Sequence, residues 1–419
     1  MCSDMTAARP FGMDAARPAP PGPARLDGTP LFFRLACGIA SRIHYGSLSF
    51  DLPDGRRLTF EGKQETQAHG LIEVRDFRFA RRSVLGGDIG FFESYADGQW
   101  DSPDITDVLY VFARNADHVE EAFAKSPIVR WTNNLHHALN RNTRAGARRN
   151  IMAHYDLGNR FYEQWLDPTM TYSSAVYPED SAELSAGQIN KYRRLAEAAQ
   201  LKPEDQVLEI GAGWGGFAEI AAREYGAKVT GLTISPAQLD YARKRIFEQG
   251  LADRVDFRLQ DYRDVHGSFD KVVSIEMFEA VGKKYWPAYF TKVRDVLRPG
   301  GVAALQIITI ADRFFGPYSR STDFIQRYVF PGGMLPSLDA LKGEVARAGL
   351  VWRDARSYGR HYAATLNEWH RRFLSAWDRI EPMGFDQEFK KLWRFYLAYC
   401  EAGFRAGTTD VYQIAAHRD

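Results

Sequence analysis

The sequence predicts an α/β fold, a Rossmann-like, doubly wound parallel sheet preceded by a smaller α+β domain. Three observations support this. Between about residues 201 and 310, short apolar segments alternate with helical patterns, as in a parallel sheet covered by helices. Residues 31–117 instead contain short alternating segments separated by turns. The length of 419 residues is also enough for two or three domains.

Composition and charge limit the class of function. A net charge of +1 produces no overall field that would favour nucleic acid as a partner. Cys2, Cys37 and Cys400 are far apart, which favours a reducing compartment and predicts no metal site. Neither a secretory signal nor an apolar segment of membrane-spanning length stands out. We therefore expect a cytoplasmic protein whose membrane contact is at most peripheral, at the inner face of the membrane.

The N-terminal half divides into three predicted parts. Residues 1–30 are rich in Pro, Ala and Arg and are predicted to be a disordered tail. Residues 31–125 are predicted to fold as the small domain, and residues 126–150 as a basic linker helix. Arginines concentrate in two groups, either on a solvated face or at a site for phosphate headgroups: Arg75, Arg78, Arg81 and Arg82, and then Arg141, Arg144, Arg148 and Arg149.

The small domain is predicted from strand and turn patterns. Ser47–Leu52 and Arg57–Phe60 flank a Pro-Asp-Gly turn and predict a hairpin. Ala68–Phe79 alternates like a further strand, and Leu85–Gly90 is predicted to be a loop. The domain loosely resembles sterol-carrier-like lipid-binding domains in the motifs LPDGR at Leu52–Arg56, GDIGFFESY at Gly87–Tyr95 and DGQW at Asp97–Trp100.

The central region predicts five strands and three helices. The strands are expected at Gln206–Ile210, Lys228–Leu232, Val255–Leu259, Lys271–Ile275 and Val302–Ile310, and the helices at Phe217–Tyr225, Pro236–Gln249 and Tyr285–Leu297. Ligands of such sheets bind where the strands end at their carboxyl edge. Four segments are expected to meet there: the glycine-rich turn, Thr233–Gln238, Asp261–Tyr262 and Glu276–Glu279.

The glycine-rich turn within Val207–Phe217 predicts a nucleotide-type cofactor. Glycine allows backbone to pass close to a ligand, and the amides at the start of the next helix then face that ligand. Gly211, Gly213 and Gly216 fit the dinucleotide fingerprint, but Val229–Ser235 lacks the acid that would bind a ribose hydroxyl. Glu209-Ile210-Gly211-Ala212-Gly213 also fits the E/D-x-G-x-G pattern of enzymes that bind S-adenosylmethionine, and we favour that cofactor.

The C-terminal part is helical and aromatic. Large apolar residues recur at three- and four-residue spacing in two stretches, which predicts buried helix faces or the wall of an apolar substrate tunnel. These residues are Leu366, Trp369, Phe373, Trp377 and Ile380, followed by Phe389, Trp393, Tyr396, Cys400 and Phe404.

Several motifs together resemble the cyclopropane-fatty-acyl-phospholipid synthases and mycolic acid cyclopropane synthases. The match covers roughly Asn150 to His417 and is more specific than the glycine turn alone. Its motifs are HYDLGN at His154–Asn159, TYS at Thr171–Ser173, GLTIS at Gly231–Ser235, MFEAVG at Met277–Gly282, FPGGMLPS at Phe330–Ser337 and YLAYCEAG at Tyr396–Gly403.

The resemblance implies a class I methyltransferase domain at residues 151–419 that uses S-adenosylmethionine to methylate the double bond of an unsaturated phospholipid acyl chain. It implies cofactor contacts by Tyr172, Ser173, Glu209, Gly211, Gly213, Thr233, Gln238, Asp261 and Tyr262. The family uses bound bicarbonate as a base, and Glu279 and Tyr362 match members of its binding cup. Cys400 matches a cysteine that is catalytic in relatives, although a cysteine on an aromatic helix face is more often simply buried. Further partners compatible with the sequence are an oxidoreductase acting on the product and a second copy of the chain.

Three positions near the base differ from the family pattern. Ser174 replaces a cysteine, Ala280 replaces a histidine, and Gln306 replaces another histidine. The product is then either an unchanged cyclopropane ring or a methyl- or methylene-branched chain. Two other functions stay open, a methyltransferase for small amines and a nonenzymatic lipid-binding protein.

Overall fold

The computed structural model describes residues 26–118, 157–179 and 183–419. Most of the predicted tail, the predicted linker helix at 126–150 with its four arginines, and the first half of HYDLGN lie outside these ranges. The described part begins at Leu26, five residues before the predicted boundary of the small domain. Leu26 already packs against the apolar core of that domain.

The N-terminal domain is a four-stranded mixed sheet packed against three helices. Its strands are β1 (Tyr45–Asp51), β2 (Arg57–Glu61), β3 (Gln64–Val74) and β4 (Trp100–Asp101), in the order β2-β1-β3-β4. Its helices are α1 (Leu31–Ala40), α2 (Arg78–Ala96) and α3 (Ile105–Arg114). The predicted hairpin is confirmed, because β1 and β2 pair antiparallel with Ser49 opposite Thr59.

The predicted loop at Leu85–Gly90 is wrong, because these residues lie within α2. The glycine pair that suggested a loop produces a break inside the helix, where Gly87 has φ 59° and ψ −140°. The strand predicted from Ala68 also ends earlier than expected, at Val74, and Phe79 belongs to α2. Alternation alone did not mark the point at which the strand period changes to the helix period.

The second domain is built on a seven-stranded sheet. Its strands are β5 (Gln206–Ile210), β6 (Lys228–Thr233), β7 (Val255–Leu259), β8 (Phe269–Ile275), β9 (Leu297–Ile310), β10 (Val351–Ser357) and β11 (Thr409–His417). The order is β10-β11-β9-β8-β5-β6-β7. The first five strands pair in parallel and β10 and β11 are antiparallel, so the predicted doubly wound α/β fold is confirmed.

Helices cover both faces of this sheet and connect it to the N-terminal domain. They are α4 (Asn159–Tyr162), α5 (Leu184–Ala198), α6 (Gly216–Tyr225), α7 (Pro236–Glu248), α8 (Trp286–Val296), α9 (Asp312–Tyr318), α10 (Phe324–Tyr328), α11 (Leu338–Arg347), α12 (Gly359–Ser375), α13 (Trp377–Ile380) and α14 (Gln387–Ala406). The three predicted helices correspond to α6, α7 and α8, within a residue at each end.

The C-terminal helices share one core with the N-terminal domain. Phe395 of α14 packs against Phe91 and Phe92 of α2, with ring centroids 6.3 and 5.1 Å apart. The neighbouring Arg394 donates hydrogen bonds to the Tyr95 hydroxyl and the Ser102 carbonyl, both at 3.1 Å. The two domains therefore share one apolar core and enclose a space between them.

Each helix in the described ranges is too short or too polar to cross a lipid bilayer.

Candidate active site

One large cavity joins the carboxyl edge of the sheet to the N-terminal domain. Its volume is about 1300 Å³. The glycine-rich turn after β5 lies at one side, and apolar side chains of the N-terminal domain lie at the other, among them Ile39, Leu48, Phe50 and Ile72. A site for one small ligand typically has ~300–1,000 Å³, so the cavity can hold a cofactor together with a second, apolar ligand.

The glycine-rich turn forms a backbone cradle. Gly211 and Gly213 both have positive φ, 85° and 52°, which side-chain-bearing residues rarely adopt. A Cβ on Gly211 would lie 2.8 Å from the Cγ of Met277. A Cβ on Gly213 would meet no atom within 4 Å, because that backbone faces the open cavity. The turn leads directly into α6, whose first amides are available to a ligand.

Residues predicted to contact the cofactor line the same cavity. They are Tyr172, Ser173, Glu209, Gly211, Gly213, Thr233, Gln238, Asp261 and Tyr262. The structure thus brings all nine predicted positions together, while their contacts with a cofactor stay a prediction.

Their hydrogen bonds show how they are held. The Thr233 hydroxyl donates to the Gln238 side-chain oxygen at 3.0 Å, and the Ser235 side chain caps α7 by accepting from the Gln238 amide. The Asp261 carboxylate is held by Arg263, whose hydrogen bond lowers the pKa of that carboxyl group.

The environment of Glu209 indicates that the glycine-rich turn can bind a polar ligand. One of its carboxylate oxygens, Oε2, is buried without a hydrogen-bond partner among the described residues. Burial raises the pKa of Glu209 well above its ordinary value, while Lys191 and Arg245 act in the opposite direction. An unpartnered carboxylate oxygen beside an open glycine cradle suits a ligand that brings hydroxyl or amino donors, as S-adenosylmethionine does.

Beyond the turn, a second wall of the cavity centres on Glu276. This residue follows directly after β8, at the carboxyl edge, and lines the cavity. Its Oε1 accepts hydrogen bonds from the Ser174 backbone amide at 2.8 Å and the Gln306 Nε2 at 2.7 Å. Its Oε2 accepts one from the Tyr362 hydroxyl at 2.7 Å. Sequence reasoning did not select Glu276, although its place at the end of β8 marked that edge.

The predicted catalytic residues have different positions relative to the cavity. Glu279, Tyr362 and Cys400 line it. Ser174 and Gln306 lie behind the wall, where the Ser174 hydroxyl donates to the Ala175 carbonyl and the Gln306 side-chain oxygen accepts from Gln413. Ala280 also lines the cavity. The roles of these residues stay predictions.

Glu279 has a different environment from Glu276. Its Oε1 accepts from the Ile308 amide at 2.5 Å, and its Oε2 is buried without a partner among the described residues. Burial and the nearby Glu276 raise the pKa of Glu279 to about 8. Glu279 is therefore mostly protonated at neutral pH.

A buried lysine lies behind the second wall and was also not predicted. The Lys191 Nζ donates to the Ser173 hydroxyl at 2.5 Å and is fully buried. Burial lowers the pKa of Lys191 to about 7, against the attraction of Glu276, Asp167 and Glu209. Lys191 lies on α5, before the first strand of the sheet, and no sequence motif there indicated that it would contact the site.

The two aromatic stripes contribute to both a core and a wall. Leu366, Tyr396, Cys400 and Phe404 line the cavity. The other members of the stripes are buried in the shared core: Trp369, Phe373, Trp377, Ile380, Phe389 and Trp393. The same helices therefore form part of the core and part of the cavity wall, while their role in a substrate tunnel stays a prediction.

The predicted arginine cluster of the N-terminal domain is largely ion-paired. Arg75 contacts Asp101 at 2.8 Å, and Arg78 contacts Asp76 at 2.7 Å. Arg82 contacts Asp97 at 2.5 Å. These pairs favour the solvated-face interpretation over a site for several phosphate groups. The described residues contain no group of three His, Cys, Asp or Glu side chains arranged to bind a metal ion.

Comparison with known proteins agrees with this geometry. The mycolic acid cyclopropane synthetase family matches residues 142–414. The chain is 40% identical over 373 residues to the tuberculostearic acid methyltransferase of Mycobacterium tuberculosis, covering 86% of each. It is 35% identical over 364 residues to the cyclopropane-fatty-acyl-phospholipid synthase of Escherichia coli K12, covering 83% of this chain and 87% of that protein.

A solved structure extends the match to the fold. The mycolic acid cyclopropane synthase CmaA1, complexed with SAH and CTAB, superposes with a TM-score of 0.60 at 27% identity. The match covers 66% of this chain and 99% of that one. With the glycine cradle and the shared cavity, these similarities show that the chain belongs to the mycolic acid cyclopropane synthase family and is an S-adenosylmethionine-dependent methyltransferase.

Proposed function

We propose that the enzyme methylates a carbon of the double bond in an unsaturated phospholipid acyl chain. The observation that carries this proposal is the single cavity that connects the glycine cradle to an apolar chamber lined by both domains. An acyl chain is the kind of ligand that such a chamber binds, because its burial needs no polar partners. The names of the two relatives, a methyltransferase for tuberculostearic acid and a synthase for cyclopropane-fatty-acyl phospholipids, support the same substrate class.

The residues present fit S-adenosylmethionine at the cradle. Gly211 and Gly213 would lie beneath it, Thr233 and Gln238 beside its nucleoside, and Tyr172 and Ser173 near its amino acid end. When bound, this cofactor supplies an electrophilic methyl group on a sulfonium.

The chain's own contribution is to align the reactants and to exclude water. An alkene is a weak nucleophile, so reaction depends on holding the double bond in line with the methyl group in a dry site. The aromatic rings of Tyr172, Tyr362, Tyr396 and Phe404 line the cavity and provide negative ring faces to a positive charge on the acyl chain. Each well-placed ring contributes ~1–2 kcal/mol to such a contact.

We further propose that the enzyme is cytoplasmic and contacts the inner face of the membrane, where its substrate lies. Leu31, at the start of α1, is 68% exposed. Farther along the same helix, Ala36, Ile39 and Ala40 line the cavity. α1 thus connects an exposed apolar side chain at the surface with the apolar chamber.

A second candidate is the same methyl transfer ending in a methyl- or methylene-branched chain instead of a ring. The composition of the second wall favours it, because Ser174, Ala280 and Gln306 replace residues of the family pattern and Glu276 lies among them. A methylene product would require an oxidoreductase to complete a saturated branch.

Lipid analysis tests both candidates. Purified enzyme is incubated with S-adenosylmethionine and vesicles of dioleoyl phosphatidylglycerol, and then with vesicles of a fully saturated phospholipid as control. We expect release of SAH with the unsaturated vesicles only. Absence of release with both would contradict the proposal, and turnover of a soluble amine instead would favour an amine methyltransferase. Proton NMR of the recovered lipid distinguishes upfield cyclopropane signals from vinylic or methyl-branch signals.

A further inference from the structure

The donors expected to bind bicarbonate instead bind the carboxylate of Glu276, a side chain of the enzyme itself. Bicarbonate was expected in a cup that includes Glu279 and Tyr362, near Ser174 and Gln306. In the structure the donors of Ser174, Gln306 and Tyr362 all contact the carboxylate of Glu276, at 2.7–2.8 Å. The same donors cannot also bind an added bicarbonate, so this wall does not fit that group.

The hydrogen bonds leave Glu276 able to accept a proton on one side. A carboxylate has about four lone-pair sites, two on each oxygen. Ser174 and Gln306 use both sites of Oε1, and Tyr362 uses one of Oε2. One site of Oε2 stays unused among the described residues, on a side chain that lines the cavity.

The backbone at Glu276 is held in an unusual conformation to place this carboxylate. Its φ of 48° lies in the left-handed region, which a residue with a side chain rarely adopts. The Glu276 amide donates to the Gln306 carbonyl at 2.8 Å, which ties the strained residue to β9. Such strain persists where the surrounding structure fixes it and is concentrated at functional sites.

We propose that Glu276 is the general base of the reaction and takes the place of an external bicarbonate. This inference rests on the proposed function, since it concerns the proton that must leave after methyl transfer to an alkene. Ser174, Gln306 and Tyr362 are positioning residues that fix the carboxylate.

The step balances without another reactant. A new bond joins the methyl carbon to one alkene carbon, the sulfonium becomes a neutral thioether, and the positive charge passes to the acyl chain. For ring closure, one C–H bond of the added methyl group then breaks. For a carbon–carbon double bond, one C–H bond on a carbon next to the cationic centre breaks, and in the methylene product that carbon is the added methyl group after a 1,2-hydride shift has moved the charge beside it. The proton of the broken bond moves to Oε2 of Glu276, and its electron pair either closes the ring or forms a carbon–carbon double bond.

Glu279 is the natural alternative and is less suited to this role. It receives one hydrogen bond, from Ile308, whereas Glu276 receives three. Burial raises the pKa of Glu276 as well, but the charge of Lys191 and the three hydrogen bonds act in the opposite direction. Hydrogen bonds donated to a carboxylate favour its charged form, which is the form that accepts a proton. Glu279 lies on the same wall and is mostly protonated at neutral pH, so it can donate a hydrogen bond.

The experiment compares the purified full-length enzyme with three variants in buffer freed of carbon dioxide and bicarbonate. Turnover is measured as SAH release with the dioleoyl vesicles, and cofactor affinity by calorimetric titration with SAH. We expect wild-type turnover to be the same with and without added bicarbonate. Glu276→Gln should lower kcat by ~10²–10⁴-fold, the usual contribution of a general base, with unchanged SAH affinity.

The second variant, Glu276→Gly, suits the left-handed backbone and leaves the three donors unoccupied. We expect its turnover to be very low in bicarbonate-free buffer and to recover at least tenfold when bicarbonate or formate is added, because either anion can occupy the vacated place. Glu276→Gln should show no such recovery. Glu401→Gln is the matched control, since Glu401 is also a buried carboxylate with partners, Asn367 and Arg405, and we expect wild-type turnover.

Each result has a defined meaning. Wild-type turnover that requires bicarbonate, or Glu276→Gln turnover within threefold of wild type, would overturn the role of Glu276 and leave the proposed function intact. A Glu276→Gly variant that binds SAH normally but is not rescued by either anion would also overturn it. Wild-type enzyme that binds SAH and releases none from unsaturated vesicles would overturn the proposed function itself, and the inference with it.

Discussion

The two walls of the cavity are built in opposite ways. The glycine-rich turn from Glu209 to Gly216, called the cofactor wall below, is one continuous stretch that acts mainly through its backbone. The Glu276 wall joins side chains and amides from four segments, a loop, the end of β8, the middle of β9 and the start of α12. The shape of the glycine-rich turn depends on the backbone conformations that its own residues allow. The arrangement around Glu276 depends instead on how several separate segments of the chain pack together. We therefore expect changes in the first wall to act locally and changes in the second to act through partners.

The largest effect is expected from Gly213→Ala in the cofactor wall. The added Cβ would enter the open space above the turn, which is where the cofactor must approach the backbone. We expect affinity for SAH to fall at least ~100-fold, equivalent to about 3 kcal/mol. Calorimetric titration measures the affinity, and thermal unfolding measures the stability of the same samples.

Gly300→Ala is the matched control for this change. Gly300 also has a positive φ, 77°, and no atom within 4 Å of an added Cβ, but it lies in the first part of β9 and does not line the cavity. Both variants should lose ~1 kcal/mol of stability from backbone strain. Equal SAH affinity in the two variants would show that strain, and not the cradle, determines the effect.

This difference between the walls also explains what the sequence could predict. The glycine turn, its strand and the neighbouring segments Thr233–Gln238 and Asp261–Tyr262 were located because each has its own local pattern and parallel strands end at one edge. The antiparallel strands β10 and β11 were not located, and neither was α1. The loop predicted in α2 failed because two adjacent glycines are equally compatible with a helix break.

For the Glu276 wall, the sequence identified the region but not the arrangement. Ser174 and Gln306 were noted as departures from a family pattern, and Tyr362 as a member of a cup for an external base. That all three contact Glu276 depends on how β8, β9 and α12 pack, which no short pattern specifies. Lys191 is a similar case, since it reaches the site from α5, in a different segment of the chain.

An intermediate effect is expected when the pH dependence of stability is compared in wild type and Glu279→Gln. The pKa of Glu279 is raised from 4.5 to about 8 by burial. The folded protein therefore binds one more proton than the unfolded chain between these values, and the stabilisation is present at low pH and is lost as pH rises through about 8. Relative to Glu279→Gln, wild type should lose on the order of 3 kcal/mol between pH 5 and pH 8.

Urea denaturation at both pH values measures this difference, because the other titrating groups cancel between the two proteins. Glu388→Gln, at an exposed position of α14, serves as the control and should follow wild type. A wild type that gains stability relative to Glu279→Gln as pH rises would mean that Glu279 is ionised. The two carboxylates of the wall would then not differ in the way their hydrogen bonds indicate.

The smallest effect is expected at Cys400, which lines the cavity without belonging to either polar wall. Burial, followed by the charge of Asp323, raises the pKa of its thiol, and the thiolate is the nucleophilic form of cysteine. We expect Cys400→Ala to retain turnover within about threefold of wild type, as removal of one small apolar contact should, and we expect wild-type Cys400 to resist iodoacetamide at pH 7.5. Peptide mass spectrometry separates its labelling from that of Cys2 and Cys37. A loss above 100-fold in Cys400→Ala with normal SAH affinity would instead place the thiol in the chemistry and would mean that burial in an aromatic stripe does not exclude a catalytic role.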